Sequence, residues 1–237
     1  MASNFGKTIQ VSTFGASHGY AIGGIVEGLP CGHTIDIDEL QAFLKRRAPG
    51  QNQLQTQRKE ADIPEFLSGM VDGMLSGSPL AFMIRNTSQH SGDYNNLCDI
   101  PRPSHADFTA RMRYGDKVDM RGGGHFSARL TAPLCVAGGI ALQLLREKGI
   151  EIHGHLKQVG TIQDTPIDMV HPDIKALGNI TTEPIAMLDA DKRHEVEELV
   201  MQLKKDGDST GGIVEVVATG LPIGLGNPNF DGIENRL

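Results

Sequence analysis

Apolar and polar positions alternate over Lys7 to Phe14, as in a strand with one covered face, and the run ends in the turn Gly15-Ala16-Ser17-His18-Gly19. Gly23 to Leu29 predicts a second strand, stopped by Pro30. The period then changes. Ile37, Leu40, Phe43 and Leu44 share one face of a helix that Asp36 can cap and that ends before Pro49-Gly50. Gln51 to Gln57 is polar and without period, a loop. Phe66 to Leu75 and Leu80 to Ile84 predict short strands. Residues 86–104 form a polar connection of a length that is functional or disordered. His105 to Tyr114 predicts a short helix with Gly115 at its end, and Gly122-Gly123-Gly124 opens an apolar helix over 126–147. Glu151 to Ile162 predicts a strand, Val196, Leu199, Val200 and Leu203 an amphipathic helix closed by Gly207, and Ile213 to Ala218 a last strand. Strands separated by helices at irregular spacing agree with a mixed α/β class.

Gly23-Gly24-Ile25-Val26-Glu27 recurs as Gly211-Gly212-Ile213-Val214-Glu215, and each copy leads into Gly-Leu-Pro, at 28–30 and at 220–222. The echo is either a coincidence among common strand residues or a duplicated unit whose second copy stops early in its helix, at Asp231 to Leu237.

Size and composition narrow the classes. At about 150 residues per domain, 237 residues make one large domain or two small ones. With 39% hydrophobic and 22% charged residues the chain is globular rather than disordered. Glycine is high at 29 of 237, without a collagen period, so it reads as tight turns and close backbone approach to ligands. The start carries no apolar h-region. The apolar run between Arg129 and Arg146 is interrupted by Pro133, Gly138 and Gly139, so no membrane span is expected. Cys31, Cys98 and Cys135 are far apart and in no CxxC pair, which points to reduced thiols in a cytoplasm rather than to disulfides or zinc. Residues 1–129 hold 13 Lys+Arg and 13 Asp+Glu, whereas 130–237 hold 9 and 16, the whole of the net charge of -7. That acidity speaks against nucleic-acid binding, while local basic clusters in the first half suit a small anion.

Four segments carry candidate chemistry. Ser17 and His18 sit at a strand end between glycines, where His18 passes protons or simply caps a backbone group. In Arg102-Pro103-Ser104-His105-Ala106-Asp107, His105 starts a helix, Arg102 can take a phosphate or carboxylate, and Asp107 caps the helix or does more. In Arg121-Gly122-Gly123-Gly124-His125-Phe126-Ser127-Ala128-Arg129 the glycines make either a cradle of backbone N–H groups or a flexible turn, and the pattern is neither a Walker loop nor a GxGxxG. Lys45-Arg46-Arg47 with Arg58-Lys59 is an anion contact or a solvated basic face. His153 and His155 share one side of a strand but lack a third partner, so no metal is expected. Together these describe a site for a multiply anionic small molecule with proton transfer.

Taken in order, the segments resemble those of the chorismate synthase family: FGASHG at 14–19, RRAPGQNQLQTQRKEAD at 46–62, RPSHAD at 102–107 (Arg-Pro-Gly-His-Ala-Asp in the family), RGGGHFSARLTA at 121–132 and KKDGDSTGGIVEVVATGLPIGLGNPNFD at 204–231. The resemblance runs along essentially the whole chain. It implies a trans 1,4-elimination of phosphate from 5-enolpyruvylshikimate 3-phosphate to give chorismate, with reduced FMN supplied by an external system and no separate flavin-reductase domain. It implies His18 and His105 as catalytic residues, with His18 as proton donor to the leaving phosphate and His105 near the flavin. Ser17, Arg47, Arg102 and Arg129 become substrate contacts, and His125, Phe126, Ser127 and Ala128 flavin contacts. The implied fold is a layered β-α-β sandwich of α/β (α+β) class, one domain over 1–237, in a cytoplasmic homotetramer. Departures are Ala16 for the usual Glu, Gln53 for an arginine, and His125-Phe126 for Arg-Ser. The family chain continues past Leu237 with an Asn-Gly-Gly-rich flavin loop, a Lys-Pro-Thr and an Arg-His-Asp-Pro segment. The competing expectations are a truncated, non-catalytic fragment and another enzyme acting on a phosphorylated carboxylate.

Overall fold

A computed structural model of the chain describes residues 3–50, 54, 60–87 and 100–226. It divides into two compact units, residues 1–143 and 144–237.

The first unit is built on an antiparallel sheet of order β1-β2-β3-β7-β4, with β1 Asn4–Phe5, β2 Gln10–Gly15, β3 Ala21–Glu27, β4 Glu65–Ser68 and β7 Leu80–Arg85. Alternation sets its faces. Ile22 and Val26 of β3 and Leu80, Phe82 and Ile84 of β7 are buried, while Ile25 and Glu27 face outward. Helix α1, Ile37–Arg47, starts where Asp36 accepts a hydrogen bond from the Glu39 backbone N–H, and it buries Leu40 and Leu44. The strand expected over Phe66 to Leu75 is three pieces: β4, then β5 Met70–Val71 and β6 Met74–Leu75, paired across Asp72-Gly73. Both turn residues have left-handed φ, 49° and 78°, the geometry of a two-residue hairpin turn, and that reversal breaks the strand.

Helix α2, Asp107–Tyr114, ends at Gly115 as expected. The glycines do not open a continuous helix. Residues Arg121–Phe126 and Ala128–Leu130 form two short 3-10 turns, and regular helix α3 runs only over Thr131–Arg146. The whole stretch 121–146 is long and apolar enough to cross a membrane by length and composition. Its α-helical part, at 1.5 Å per residue, is about 24 Å long, and it places Ala132, Val136 and Ile140 in the core. Gln143 fixes α3 to the cap of α1, accepting from the Asp36 N–H at 2.8 Å and donating to the Asp36 carbonyl at 2.9 Å.

The second unit holds a three-stranded antiparallel sheet, β10-β8-β9, from β8 Glu151–Val159, β9 Ile162–Gln163 and β10 Gly212–Thr219. Helix α4, Ile174–Asn179, which the sequence pattern does not show, places Leu177 in a cluster with Ile167, Ile180 and Val217. Helix α5, Ala190–Asp206, is capped by Asp189 and closed by Gly207. The mixture of antiparallel sheets and helices is an α+β fold.

The duplicated-unit reading of the Gly-Gly-Ile-Val-Glu echo does not hold. Residues 23–27 lie on an interior strand with Gly23, Gly24 and Val26 buried, whereas Ile213 and Val214 are exposed on β10, which among the described residues is an edge. Only the exits agree: β3 and β10 each end immediately before their Gly-Leu-Pro. Aligned on those exits, the echoes are out of register by (220−215) − (28−27) = 4 residues. The segment 231–237 lies outside the described residues, as do Gln53, Arg58, Lys59 and Cys98.

Candidate functional site

Strand β2 ends in the turn 16–20, which carries Ser17 and His18 inward; Ser17 is fully buried and His18 is 9% exposed. The Ser17 hydroxyl lies 2.9 Å from the Gly122 carbonyl and 3.2 Å from that of Arg121, acceptors it donates to. Its oxygen therefore accepts from His18 Nδ1, 3.0 Å away, so that nitrogen carries a proton. The Ser17 backbone N–H donates to the Gly124 carbonyl at 3.1 Å. Two sequence motifs 104 residues apart thus form one structure.

The glycines are required by that junction. Gly122 has φ 58°, and a Cβ there would come within 2.1 Å of the His18 ring. Gly124 has φ 55°, and its Cβ would strike the Asp119 carbonyl oxygen at 1.8 Å. No other residue combines a left-handed backbone with that approach at comparable cost.

Above Gly122 opens a cavity of about 390 Å³, lined by Arg102, His105, Gly122, Gly123, Phe126, Ser127 and Ala128 among others. That volume is in the range of small-molecule sites. Arg102 is held for this wall by Asp107: Nε to Oδ2 at 2.8 Å, Nη2 to Oδ1 at 2.9 Å, and the Arg102 backbone N–H to Oδ2 at 3.0 Å. The Arg102 hydrogen bonds hold the Asp107 carboxyl down at about 2, against burial that pushes it up. Asp107 is thus an arginine clamp, not a cap; the cap position of α2 is Ala106 and it makes no side-chain cap bond. His105 Nδ1 donates to the Pro103 carbonyl at 2.9 Å, which fixes the ring and turns Nε2 away from that bond. Ser104 has a left-handed φ of 60° in the preceding turn, where the resemblance has glycine.

Not every expected contact lines the cavity. His125 is turned away: Nδ1 donates to the Gly15 carbonyl at 2.8 Å and Nε2 accepts from Ser3 Oγ at 2.9 Å. Its ring ties β2 to the glycine turn, because the left-handed glycines rotate it off the wall that Phe126 shares. Arg47 and Arg129 meet instead on one carboxylate, that of Asp62, which is 2% exposed and takes Arg47 Nη1 on Oδ2 and Arg129 Nη1 on Oδ1. Arg47 also donates from Nε to Thr131 Oγ1 at 3.4 Å. Arg129 donates from Nε to Asn86 Oδ1 at 3.1 Å, and Glu60 Oε2 lies 3.8 Å from its Nη2. Arg46 covers the Phe43 ring at 5.6 Å, and burial pulls its guanidinium below the ordinary range. Asp62, Asn86 and Glu60 carry no local periodicity or turn signal; they stand in or beside aperiodic polar stretches and find their partners across 15 to 70 residues of chain.

His155 is part of a closed ionic chain, not a site. Its Nδ1 faces Asp164 at 2.8 Å and its Nε2 faces Glu215 at 3.1 Å, while Lys157 engages the other Glu215 oxygen. Lys157 first, then His155, holds the Glu215 carboxyl below the usual range. Burial pushes the Asp164 carboxyl up, but the backbone N–H groups of Asp189 and Leu188 together with His155 hold it low. Among the described residues no group of three or more His, Cys, Asp or Glu side chains is placed to hold a metal.

Residues 9–237 match the family model described as chorismate synthase. The chain is 43% identical, over all of its length and 65% of the other's, to a protein named chorismate synthase from Lancefieldella parvula. It is 44% identical to one of the same name from Ralstonia pickettii, covering 98% of this chain and 61% of that one. A relative so named from Bacteroides thetaiotaomicron is also 44% identical, at 97% and 63% coverage. A crystal structure of a chorismate synthase superposes with a TM-score of 0.68 and 25% identity, covering 93% of this chain and 61% of that one. The chain thus spans under two thirds of the length of these relatives. With ordered motifs, fold and sequence identity in agreement, the chain belongs to the chorismate synthase family.

Proposed function

We propose that this chain carries reaction-centre residues of a chorismate synthase, a lyase of aromatic amino acid biosynthesis that eliminates phosphate from 5-enolpyruvylshikimate 3-phosphate in a trans 1,4 sense. The observation that carries this reading is the cavity in which Arg102 and His105 share a wall with the glycine turn that lies directly on His18.

The substrate bears two carboxylates and a phosphate, and binding it requires fixed cations and N–H donors. Arg102, fixed by Asp107, supplies one cation on the cavity wall. Arg47 and Arg129 place two positive charges behind the wall against the single Asp62 carboxylate; direct contact with substrate requires one of them to leave Asp62. Ser17 accepts from Nδ1–H of His18, so proton delivery to the leaving phosphate runs from Nε2 of the doubly protonated ring, which is left neutral with its proton on Nδ1. His105, fixed by donating Nδ1–H to Pro103, keeps Nε2 at a defined place on the cavity wall.

The described residues fit reduced FMN. Phe126 shows 40% of its surface and can cover a flat ring, and the backbone of Gly122, Gly123, Ser127 and Ala128 offers polar edges to it. The chemistry that reduced FMN supplies when bound is a transient electron and an acceptor for the hydrogen lost from C6. A cytoplasmic location, a homotetramer and an external source of reducing equivalents belong to the same reading.

The test uses the 237-residue chain under anaerobic conditions with 5-enolpyruvylshikimate 3-phosphate and reduced FMN, following phosphate release. The expected result is release that requires the flavin and is lost in His18→Ala and His105→Ala. Release that is indifferent to flavin, or that is undiminished in either variant, would refute the assignment.

A further inference from the structure

The turn that presents Ser17 and His18 is not held by its own residues alone. Asn86, 8% exposed just after β7, uses both N–H groups of its side-chain amide on it. Nδ2 donates to the carbonyls of Ala16 at 3.1 Å and Gly19 at 2.8 Å, one on either side of the Ser17-His18 pair. The Asn86 backbone N–H donates to the Tyr20 carbonyl at 3.2 Å. Oδ1 accepts from Arg129 Nε at 3.1 Å, and Arg129 is anchored by the Asp62 carboxylate. Asp62 holds this place with a left-handed φ of 50°, a conformation that persists only where the surroundings over-determine it. Buried polar groups are costly unless paired, and each polar group of the Asn86 amide has a partner here.

We propose that Asn86 is a positioning residue for the elimination, setting the His18 ring against Gly122 through the two carbonyls of its turn, with Arg129 and Asp62 as the fixed anchor behind it. The inference deepens the proposed function and rests on it. Neither Asn86 nor Asp62 lines the cavity. Neither is therefore a substrate contact, and the route from Asn86 to the reaction runs through the groups it holds, the His18 turn first. Because Gly122 leaves the ring no slack, a small rotation of the turn carries Nε2 off its line to the leaving group. Misplacement by about 1 Å costs on the order of 100-fold in rate.

The decisive experiment is a double-mutant cycle. Asn86→Asp keeps an acceptor for Arg129 and removes the two donors to the turn; Asn86→Ser removes them without adding charge and serves if the first variant fails to fold. In the wild-type background each is expected to lower kcat by about tenfold or more with little change in KM. In the His18→Ala background the same substitution is expected to have no further effect, because the group it positions is gone. The same factor in both backgrounds would overturn the proposal. The imidazole resonances of His18, His105 and His155 give a readout independent of activity. The Asn86 variants are expected to shift those of His18 and leave the other two in place. If the wild-type chain releases no phosphate, the functional reading fails; if His18 does not shift, the positioning role fails.

Discussion

Two buried histidines, one in each unit, set the proposed reaction centre against a structural ion cluster. His18 has Nδ1 tied to Ser17 and lies under a glycine turn at the floor of a cavity. His155 has a carboxylate at each nitrogen and a lysine beyond, with none of its side chain exposed. The residue types are the same; the kind of partner at Nδ1, a hydroxyl against a carboxylate, and the neighbouring open volume differ. A histidine with both nitrogens committed to carboxylates fastens β8 to β10 and to the segment before α5. One whose Nδ1 faces a hydroxyl, beside a cavity lined by a clamped arginine, is the one proposed for proton transfer.

That contrast is broken most severely at Gly122. Gly122→Ala forces a Cβ into the His18 ring on a left-handed backbone, with an expected loss of about 3–5 kcal/mol in urea unfolding and of all flavin-dependent phosphate release. His155→Leu comes next. It removes the shared partner of two carboxylates that keep other hydrogen bonds, so a loss of about 2–3 kcal/mol is expected, with phosphate release below the unfolding temperature unchanged.

A smaller effect is read from acid. Asp107 is held at about 2, below its value in the unfolded chain, so its contribution is complete above about pH 4 and is lost as pH falls through about 2. Discounted for solvent screening it amounts to about 1–2 kcal/mol. Unfolding measured between pH 5 and 2 should fall less steeply in Asp107→Asn, and an identical slope would remove Arg102 clamping from the account. The smallest effect is a gain. Ser104→Gly relieves a left-handed serine and is expected to stabilise by about 0.5–1 kcal/mol, because glycine there has no Cβ to strain.

Local rules made much of this fold legible. Asp36 caps α1, Gly115 and Gly207 end α2 and α5, and the alternation in β3 and β7 sets the covered face. The hairpin at Asp72-Gly73 was also written in the chain, but the apolar pairs on either side, Met70-Val71 and Met74-Leu75, mask the reversal. Helix α3 starts five residues later than its apolar pattern because three left-handed glycines precede it. In the site, Ser17, His18, Arg102, His105 and the glycines declare themselves through turn chemistry. Asp62, Asn86 and the inward turn of His125 do not, since each is defined by partners more than ten residues distant in the chain. Asp107 shows the limit from the other side: its position predicts a helix cap, and only the fold shows Arg102 within reach.

The account stands or falls on which histidine serves the chemistry. Flavin-dependent phosphate release from 5-enolpyruvylshikimate 3-phosphate, measured side by side for wild type, His18→Ala and His155→Leu at a temperature where all three are folded, decides it. The prediction is a loss of about 100-fold or more in His18→Ala and a rate within about twofold of wild type in His155→Leu. Equal losses in the two variants, or a larger one in His155→Leu, would contradict it.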